Sequence, residues 1–372
     1  MFMRMTRKRQ TWALFIVMMF GLVMAFAGHE IWFSLSPAKR GSQDSYIILV
    51  QKGETPARIT KALVEQGVVA DAGLFHRLGR WGRFWGRIKA GEYKLSPAMT
   101  PVEVFSVITS GISVNYPVTV HEGNNMYEIG AALETTGLVE KDYFVSLCKS
   151  RPLMMQLGYK PPLPPSLEGY LFPDTYFFNR TMTPQDMIRK MVSRFGMAWK
   201  QEYEMNAAAM GFTKHQLLTL ASIIEKETGT AGERPLISSV FHNRLKKRMR
   251  LQSDPTTIYG MWERYRGNIR RDDLNERTPY NTYAISGLPI GPISNPGTAA
   301  IDAALRPAAS DYLFFVSHND GTHEFTRNFS DHAKAVRKYQ LDRTARQGKS
   351  WREQYKKERV PQSYGRIAGD KR

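Results

Sequence analysis

A single cysteine, Cys148, occurs in 372 residues. One thiol allows no intramolecular disulfide and no cysteine-based metal site. That fits a cytosolic protein, or an exported bacterial protein that does without disulfides. Metal-ligand spacing is missing as well: neither His242 nor His323 has a partner at a ligand interval, so no metal and no cofactor is expected. Acid is scarce. The 34 Asp and Glu face 52 Lys and Arg, a formal net charge of +18, which favours anionic partners: nucleic acid, an anionic membrane surface or an acidic polymer. Hydrophobic residues (42%) and charged residues (23%) are present in ordinary proportion, so most of the chain folds, with length for two or three domains.

Much of the charge lies at the ends. Arg4, Arg7, Lys8 and Arg9 open the chain. Arg343, Arg346, Lys349, Arg352, Lys356, Lys357, Arg359, Arg366, Lys371 and Arg372 belong to a tail, 341–372, whose composition reads as solvated and disordered. Between Gln10 and Gly28 no charge occurs. That run is close to the ~20 apolar residues that span a bilayer as a helix. Trp12 at one border and Trp32 beyond the other suit membrane interfaces. An anchor over 10–33 is expected, with 1–9 cytoplasmic by the positive-inside rule and the bulk exported, which leaves no role for nucleic acid. The alternative is a cleaved signal peptide ending at Ala25-Phe26-Ala27. Against it, apolar residues resume at Ile31, Trp32 and Phe33.

Two stretches match at an offset of 70 residues. Val50, Gly53, Ile59, Ala62, Leu63, Gly67 and Val69 recur as Val120, Gly123, Ile129, Ala132, Leu133, Gly137 and Val139. Each copy reads as strand, glycine turn and short amphipathic helix closed by glycine. Ser45–Val50 and Ser113–Val120 are the strand candidates. The pattern resembles LysM-like modules, which implies binding of N-acetylglucosamine-containing glycan; a spacer without ligand is the other reading. Between the copies, Ala90–Leu95 reads as a turn into a strand. Thr100, Pro101 and Glu103 open a helix to Gly111 with capping-box spacing.

Pro161-Pro-Leu-Pro-Pro165 marks a break. The segment Ser166-Leu-Glu-Gly-Tyr-Leu-Phe-Pro-Asp-Thr-Tyr176 then sets aromatics beside Glu168 and Asp174. That mixture suits a carbohydrate cleft, and suits a packed aromatic loop equally well. Pro184 to Met205 reads as one amphipathic helix. The next helix begins at Thr213, with Gln216 at capping-box spacing. On a 3.6-residue period Leu218, Ala221, Ser222 and Glu225 share a side, while Lys226 and Glu227 turn away. A carboxylate on an apolar face is costly when ionised, so its pKa rises toward what a general acid needs. On this pattern alone, a glutamate at the face's edge paired with a cation is the more common case. Ordinary glycoside hydrolysis needs two carboxylates, and Glu225 and Glu227 cannot be that pair on one helix. A second would come from Asp254, Glu233, Glu168 or Asp174.

Beyond it, the stretch Glu233–Gly260 reads as a helix with Val240, Phe241 and Leu245 inside, then a loop. The cations Arg244, Lys246, Lys247, Arg248 and Arg250 read as a solvated face, or as a contact for anionic substrate or lipid headgroups. Pro279–Gly297 is a long loop rich in glycine and proline, a length that is functional or disordered in compact domains; its aromatic and amide content favours function. Asp302–Leu305 reads as a short helix, Tyr312–Val316 and Gly321–Thr326 as a hairpin, and Ser330–Tyr339 as a closing helix.

Taken in order, Ser166–Tyr176, Leu220-Ala-Ser-Ile-Ile-Glu-Lys-Glu-Thr228, Ser239-Val-Phe-His-Asn-Arg-Leu245, Met249-Arg-Leu-Gln-Ser-Asp-Pro-Thr256, Ile258-Tyr-Gly260, Tyr280-Asn-Thr-Tyr283 and Gly287-Leu-Pro289 resemble the endolytic murein transglycosylase (YceG-like) family. The likeness runs from the anchor to about Tyr339; His242 and the basic tail depart from the shared pattern. It implies an α+β fold with an N-terminal transmembrane helix, a LysM-like module at 45–155 and an α+β catalytic domain at 160–340. It implies a bacterial inner-membrane enzyme that cuts the β-1,4 bond after N-acetylmuramic acid in nascent peptidoglycan, with peptidoglycan synthases as partners. By that resemblance Glu225 takes the catalytic place, where it would protonate the leaving oxygen and then accept the proton of the sugar's own C6 hydroxyl as a 1,6-anhydro ring closes. Because the substrate supplies the nucleophile, one carboxylate suffices. Gln252, Asp254, Tyr259, Asn281 and Tyr283 are the candidates for positioning glycan. The rival readings are a muramidase using water and a second carboxylate, and a non-enzymatic glycan-binding scaffold.

Overall fold

The computed structural model describes residues 7–342; Met1–Thr6 and the basic residues from Arg343 onward lie outside them. The fold mixes helices with three two-stranded sheets among the described residues. Two compact units form. One comprises the chain through Val118 with Phe177–Thr183; the other comprises Thr119–Tyr176 and the chain from Pro184.

In the first unit, α1 (Arg7–Leu35) extends a little beyond the expected 10–33 at both ends. Within Thr11–Leu35 an 18-residue apolar window has a mean hydropathy of 2.1 and is wholly unburied. At ~1.5 Å per residue it is about 37 Å long, enough to cross a bilayer's hydrocarbon core. Trp12, Phe15, Ile16, Phe20 and Leu22 are all exposed, which fits a helix whose solvent is lipid. β1 (Tyr46–Val50) follows, then α2 (Pro56–Glu65), capped by the Thr55 hydroxyl, and α3 (Ala72–Trp81), capped by Asp71. β2 (Gly91–Leu95) runs antiparallel to β1, from Tyr46 opposite Leu95 to Val50 opposite Gly91. α4 (Pro101–Ser110) carries the expected reciprocal cap between Thr100 and Glu103, and Gly111 ends it in the left-handed region. Leu63, Phe75, Tyr93, Leu95, Phe105 and Ile108 form the buried centre. Phe75 and Phe105 stack at 4.2 Å between centroids.

The repeat is conformational as well as chemical. β3 (Tyr116–Val120) and α5 (Met126–Thr135) stand 70 residues after β1 and α2. Gly53 and Gly123 both have φ +79°, while Gly67 and Gly137 have +68° and +67°. Only glycine takes these left-handed positions without strain, so the repeated glycines mark one turn and one helix stop used twice. β3 pairs with β4 (Asp174–Phe178).

The second unit continues through α6 (Lys141–Cys148) and α7 (Arg151–Gln156). The helix expected over Pro184–Met205 is two: α8 (Pro184–Ala198) and α9 (Gln201–Ala209). Lys200 is extended (ψ 150°) and interrupts them. The break lets Trp199 wedge between Phe195 and Tyr203, 5.7 Å from each ring, with its indole N–H donated to Glu204 at 2.8 Å. Helical periodicity is blind to such a tertiary wedge. α10 (Lys214–Glu227) starts with the reciprocal Thr213–Gln216 cap, and every residue from Leu217 to Ile224 is buried. A helix apolar all round belongs at a core's centre, and α10 packs on α11 (Arg234–Lys246) and α14 (Thr298–Leu305).

The stretch expected as a loop after α11 contains a short helix, α12 (Asp254–Gly260). Pro255 at its second position is favourable there, a signal present in the sequence. α13 (Arg271–Asn275) precedes the long Pro279–Gly297 loop. β5 (Phe314–Ser317) and β6 (His323–Thr326) form the expected antiparallel hairpin, and α15 (Phe329–Val336) follows. One expectation fails clearly. Arg244 is 7% exposed and not part of a solvated face. Its guanidinium donates to the carbonyls of Leu313 at 2.6 Å and Leu251 at 2.8 Å, while Lys246, Lys247, Arg248 and Arg250 are exposed as expected.

Candidate active site

All side chains described here belong to the second unit. Glu225 lies one turn beyond Ala221 and Ser222, on the side of α10 that the long loop covers. Ser222 accepts the Ile293 N–H at 3.0 Å. Asn295 exchanges backbone bonds with the turn before α5: its carbonyl accepts from Gly123 at 2.9 Å and its N–H donates to Asn124 at 2.8 Å. Gly297 then donates its N–H to Glu225 Oε2 at 2.9 Å. That amide opens α14, where unpaired helix N–H groups carry partial positive charge. A Cβ at Gly297 would meet the Glu122 carboxylate, the end of an exposed side chain that has room to swing aside.

The other oxygen of Glu225, Oε1, lies 3.4 Å from Arg234 Nη2, and the Glu225 side chain is 7% exposed. The two readings of Glu225 left open by helical geometry therefore both hold: it is desolvated and it faces a cation. Burial raises its pKa above the ordinary carboxyl value, the Gly297 N–H and Arg234 oppose that rise, and Glu122 adds to it. A carboxyl so held can give up a proton, and the resulting anion is met by a helix amide and a guanidinium.

Glu227 does leave the Glu225 side, but not for solvent. It accepts a 2.6 Å hydrogen bond from Ser253. Burial pushes it up to about 7, against the Ser253 hydroxyl, with Asp254 adding and Arg244 opposing. It lines a cavity of about 520 Å³ together with Arg244, Gln252, Asp254, Tyr283 and His323.

Three of the five glycan-positioning candidates thus meet in one place. Gln252, at φ +49°, and Asp254 are exposed at this cavity, and the Tyr283 hydroxyl donates to Asp254 at 2.7 Å. Tyr259 and Asn281 are elsewhere. Tyr259 is buried, its hydroxyl donated to Glu168 at 2.9 Å. Asn281 is fully buried; its Nδ2 donates to the carbonyls of Asp273, Leu274 and Glu276 and its Oδ1 accepts from Thr257. Its hydrogen-bonding capacity is spent within the protein. Of the possible second carboxylates, Glu168 is buried among donors, Asp174 pairs with Arg194 at 2.6 Å, and Glu233 with His323 at 2.8 Å. Asp254 is the exposed one among the four, and it meets no cation within ion-pair distance among the described residues.

Arg234, Gly297 and Glu122 were not singled out by sequence, and Glu227 entered only as the carboxylate that turns away from Glu225. The signal that could have marked Gly297, a helix opening directly after it at Thr298, was not read, because the helix was expected only from Asp302. Arg234 had none, because its relevance is a distance.

Glu168 and Glu227 are each lifted by burial from 4.5 to about 7. A carboxyl whose folded pKa exceeds its unfolded pKa holds its proton more tightly when folded. The stability it contributes is complete below the unfolded value and is lost as pH rises through the folded one. The unfolding midpoint is therefore expected to fall between about pH 5 and 7.5, and to fall less in Glu227→Gln. Thermal unfolding followed by circular dichroism across that range checks this; a midpoint that rises with pH would contradict it.

A profile of the YceG-like family matches residues 48–338, most of the chain. The chain belongs to the YceG-like family. It is 32% identical over 321 residues to the endolytic murein transglycosylase of Bacillus subtilis (strain 168), a match covering 82% of this chain and 88% of that protein. It is 27% identical over 334 residues to the endolytic murein transglycosylase of Streptococcus pneumoniae (serotype 2, strain D39), covering 82% of this chain but 60% of the longer relative. A solved structure of a YceG-like protein from Listeria monocytogenes superposes with a TM-score of 0.55 at 29% identity, over 79% of this chain and all of the other.

Proposed function

We propose that the chain is a membrane-anchored lytic transglycosylase, a lyase, acting on nascent peptidoglycan with Glu225 as its acid and base. The observation that carries this reading is the setting of Glu225: a 7% exposed carboxyl, raised in pKa by burial, with one helix amide and one guanidinium ready for its anion. Glu225 protonates the oxygen leaving C1 of N-acetylmuramic acid as the C1–O bond breaks. The C6 hydroxyl oxygen of the same sugar bonds to C1, and its proton passes to Glu225. Atoms and protons balance without water, and the acid is restored for the next cycle. The intramolecular nucleophile gains from proximity. The product is a 1,6-anhydro end, which cannot be extended there, so cleavage terminates the strand.

The anchor holds the enzyme at the bacterial inner membrane, N-terminus inward, beside the synthases that make its substrate. The region 45–155 acts as a LysM-like module and 160–340 as the catalytic domain. Gln252, Asp254 and Tyr283, gathered at one cavity, position glycan there. The test is mass spectrometry of glycan released from purified peptidoglycan. Anhydro ends are expected throughout. Reducing ends carrying solvent oxygen would replace this reading with a hydrolase that uses a second carboxylate, for which Asp254 is the candidate. No release at all would favour a glycan-binding scaffold.

A further inference from the structure

From Ala72 to Gly91 the chain contains no acid, but it contains Arg77, Arg80, Arg83, Arg87 and Lys89 among Phe75, Trp81, Phe84 and Trp85. We infer that the face built by α3 and the turn after it lies on an anionic lipid headgroup surface. The inference rests on α1 being a membrane anchor. It concerns the first unit alone.

Position comes first. α3 packs against the last turns of α1, where the uncharged run ends. Arg77 pairs with Glu30 at 2.8 Å, and that carboxylate is 8% exposed. The Arg77 guanidinium also sits 5.9 Å over the Phe26 ring, and Trp81 meets Phe26 edge-on at 5.9 Å. Phe33 of α1 joins the same buried cluster as Phe75 of α3. Whatever is fixed to residues 26–33 of a spanning helix stands at the level where hydrocarbon gives way to headgroups.

Composition comes second. Arg80, Trp81, Arg83, Arg87 and Lys89 are exposed, and Trp85 is half-buried. Arg80, Arg83 and Arg87 make no ion pair with any described residue, whereas Arg77 and Lys89 are bonded to Glu30 and to the Ser110 carbonyl. Cations free of carboxylates, interleaved with indoles, form the composition of an interfacial surface. Gly79 makes room for it: a Cβ there would strike both Trp85 and Phe105.

The third observation is backbone strain. α3 ends in a Schellman arrangement, with Phe84 N–H bonded to Gly79 O at 2.9 Å and Arg83 N–H to Arg80 O at 3.3 Å. The left-handed residue of that motif is Arg83, at φ +53°, where glycine is favoured. A strained arginine in a glycine position points to a use for its side chain.

The experiment uses the full chain in nanodiscs of phosphatidylcholine alone or mixed equally with phosphatidylglycerol. Cys148 is buried, so an environment-sensitive dye can be placed on Gly86→Cys, where nothing lies within 4 Å of an added Cβ. A second chain carries it on Leu22→Cys inside the span. The dye at position 86 is expected to shift to the blue with phosphatidylglycerol only, and to lose the shift in about 1 M salt, where screening acts over ~3 Å. Arg80→Glu with Arg87→Glu should lower the interface-bound population about 25-fold or more, at about fivefold per cation removed. Arg83→Gly should weaken the shift while keeping or raising the unfolding midpoint, which separates lost contact from lost fold. A dye at position 86 that reports water in both lipids, while position 22 reports hydrocarbon, overturns the surface and leaves the anchor. An equal, salt-insensitive shift in both lipids overturns recognition of charge. Water at position 22 removes the anchor and the inference with it.

Discussion

Glu225→Gln is expected to lower release of glycan from purified peptidoglycan by about 10³-fold or more, the span general acid–base catalysis commonly supplies. The amide matches the carboxyl in size and keeps an acceptor for the Gly297 N–H, now at 2.9 Å from Oε2. It cannot donate a proton to a leaving oxygen, nor take one from a C6 hydroxyl. The unfolding midpoint should stay near that of the native chain, because the replaced group made one amide bond and one long 3.4 Å contact to Arg234. Glu227→Gln is the necessary comparison. It removes a carboxyl two positions away that is also raised by burial and that lines a separate group of candidate residues. Release at the native rate by Glu225→Gln would end its assignment as the acid, and an equal collapse in Glu227→Gln would move the assignment there.

What could be seen beforehand follows a physical line. Caps, turns and helix faces are set by residues three or four apart, so the Thr100–Glu103 and Thr213–Gln216 caps and the side of α10 that carries Glu225 were all legible. The long apolar helix α1 was legible because its run of uncharged residues is unbroken over a length that fits a bilayer. The repeat was legible because its glycines serve backbone conformations that few other residues adopt. Of the candidate site, only the place of Glu225 on its helix face was legible. Gly297 reaches Glu225 from 72 positions away, Asn295 reaches Glu168 from 127, and Arg244 takes the Leu313 carbonyl from 69. No local pattern encodes those pairings. Arg244 looked like one more cation in a solvated run, and burial made it an internal strut. Asn281 looked like a hand for sugar, and three carbonyls had already claimed it.

Glu168 shows what such distant pairing does, and Glu168→Ala is expected to destabilise the second unit by about 4 kcal/mol or more. Its buried carboxyl receives the Met126 N–H at 2.9 Å, the Tyr259 hydroxyl at 2.9 Å and the Asn295 amide at 2.8 Å. Alanine would leave three buried donors short of this acceptor, at about 1–3 kcal/mol each, with the sum reduced because they share one partner. Tyr259→Phe, which removes a single donor, should cost only about 1 kcal/mol. Chemical denaturation of the two variants measures the contrast, and a Glu168→Ala chain within about 1 kcal/mol of native would show that the donors find other partners. The consequence for catalysis is indirect. Asn295 stands two residues before Gly297, so loosening it frees the loop that aims an amide at Glu225. Glu168→Gln keeps the volume and one acceptor oxygen. It should therefore retain most cleavage at temperatures where it is folded, with any deficit restored by cooling. A folded Glu168→Gln that cannot cleave at all would instead give Glu168 a part in the reaction beyond holding the loop.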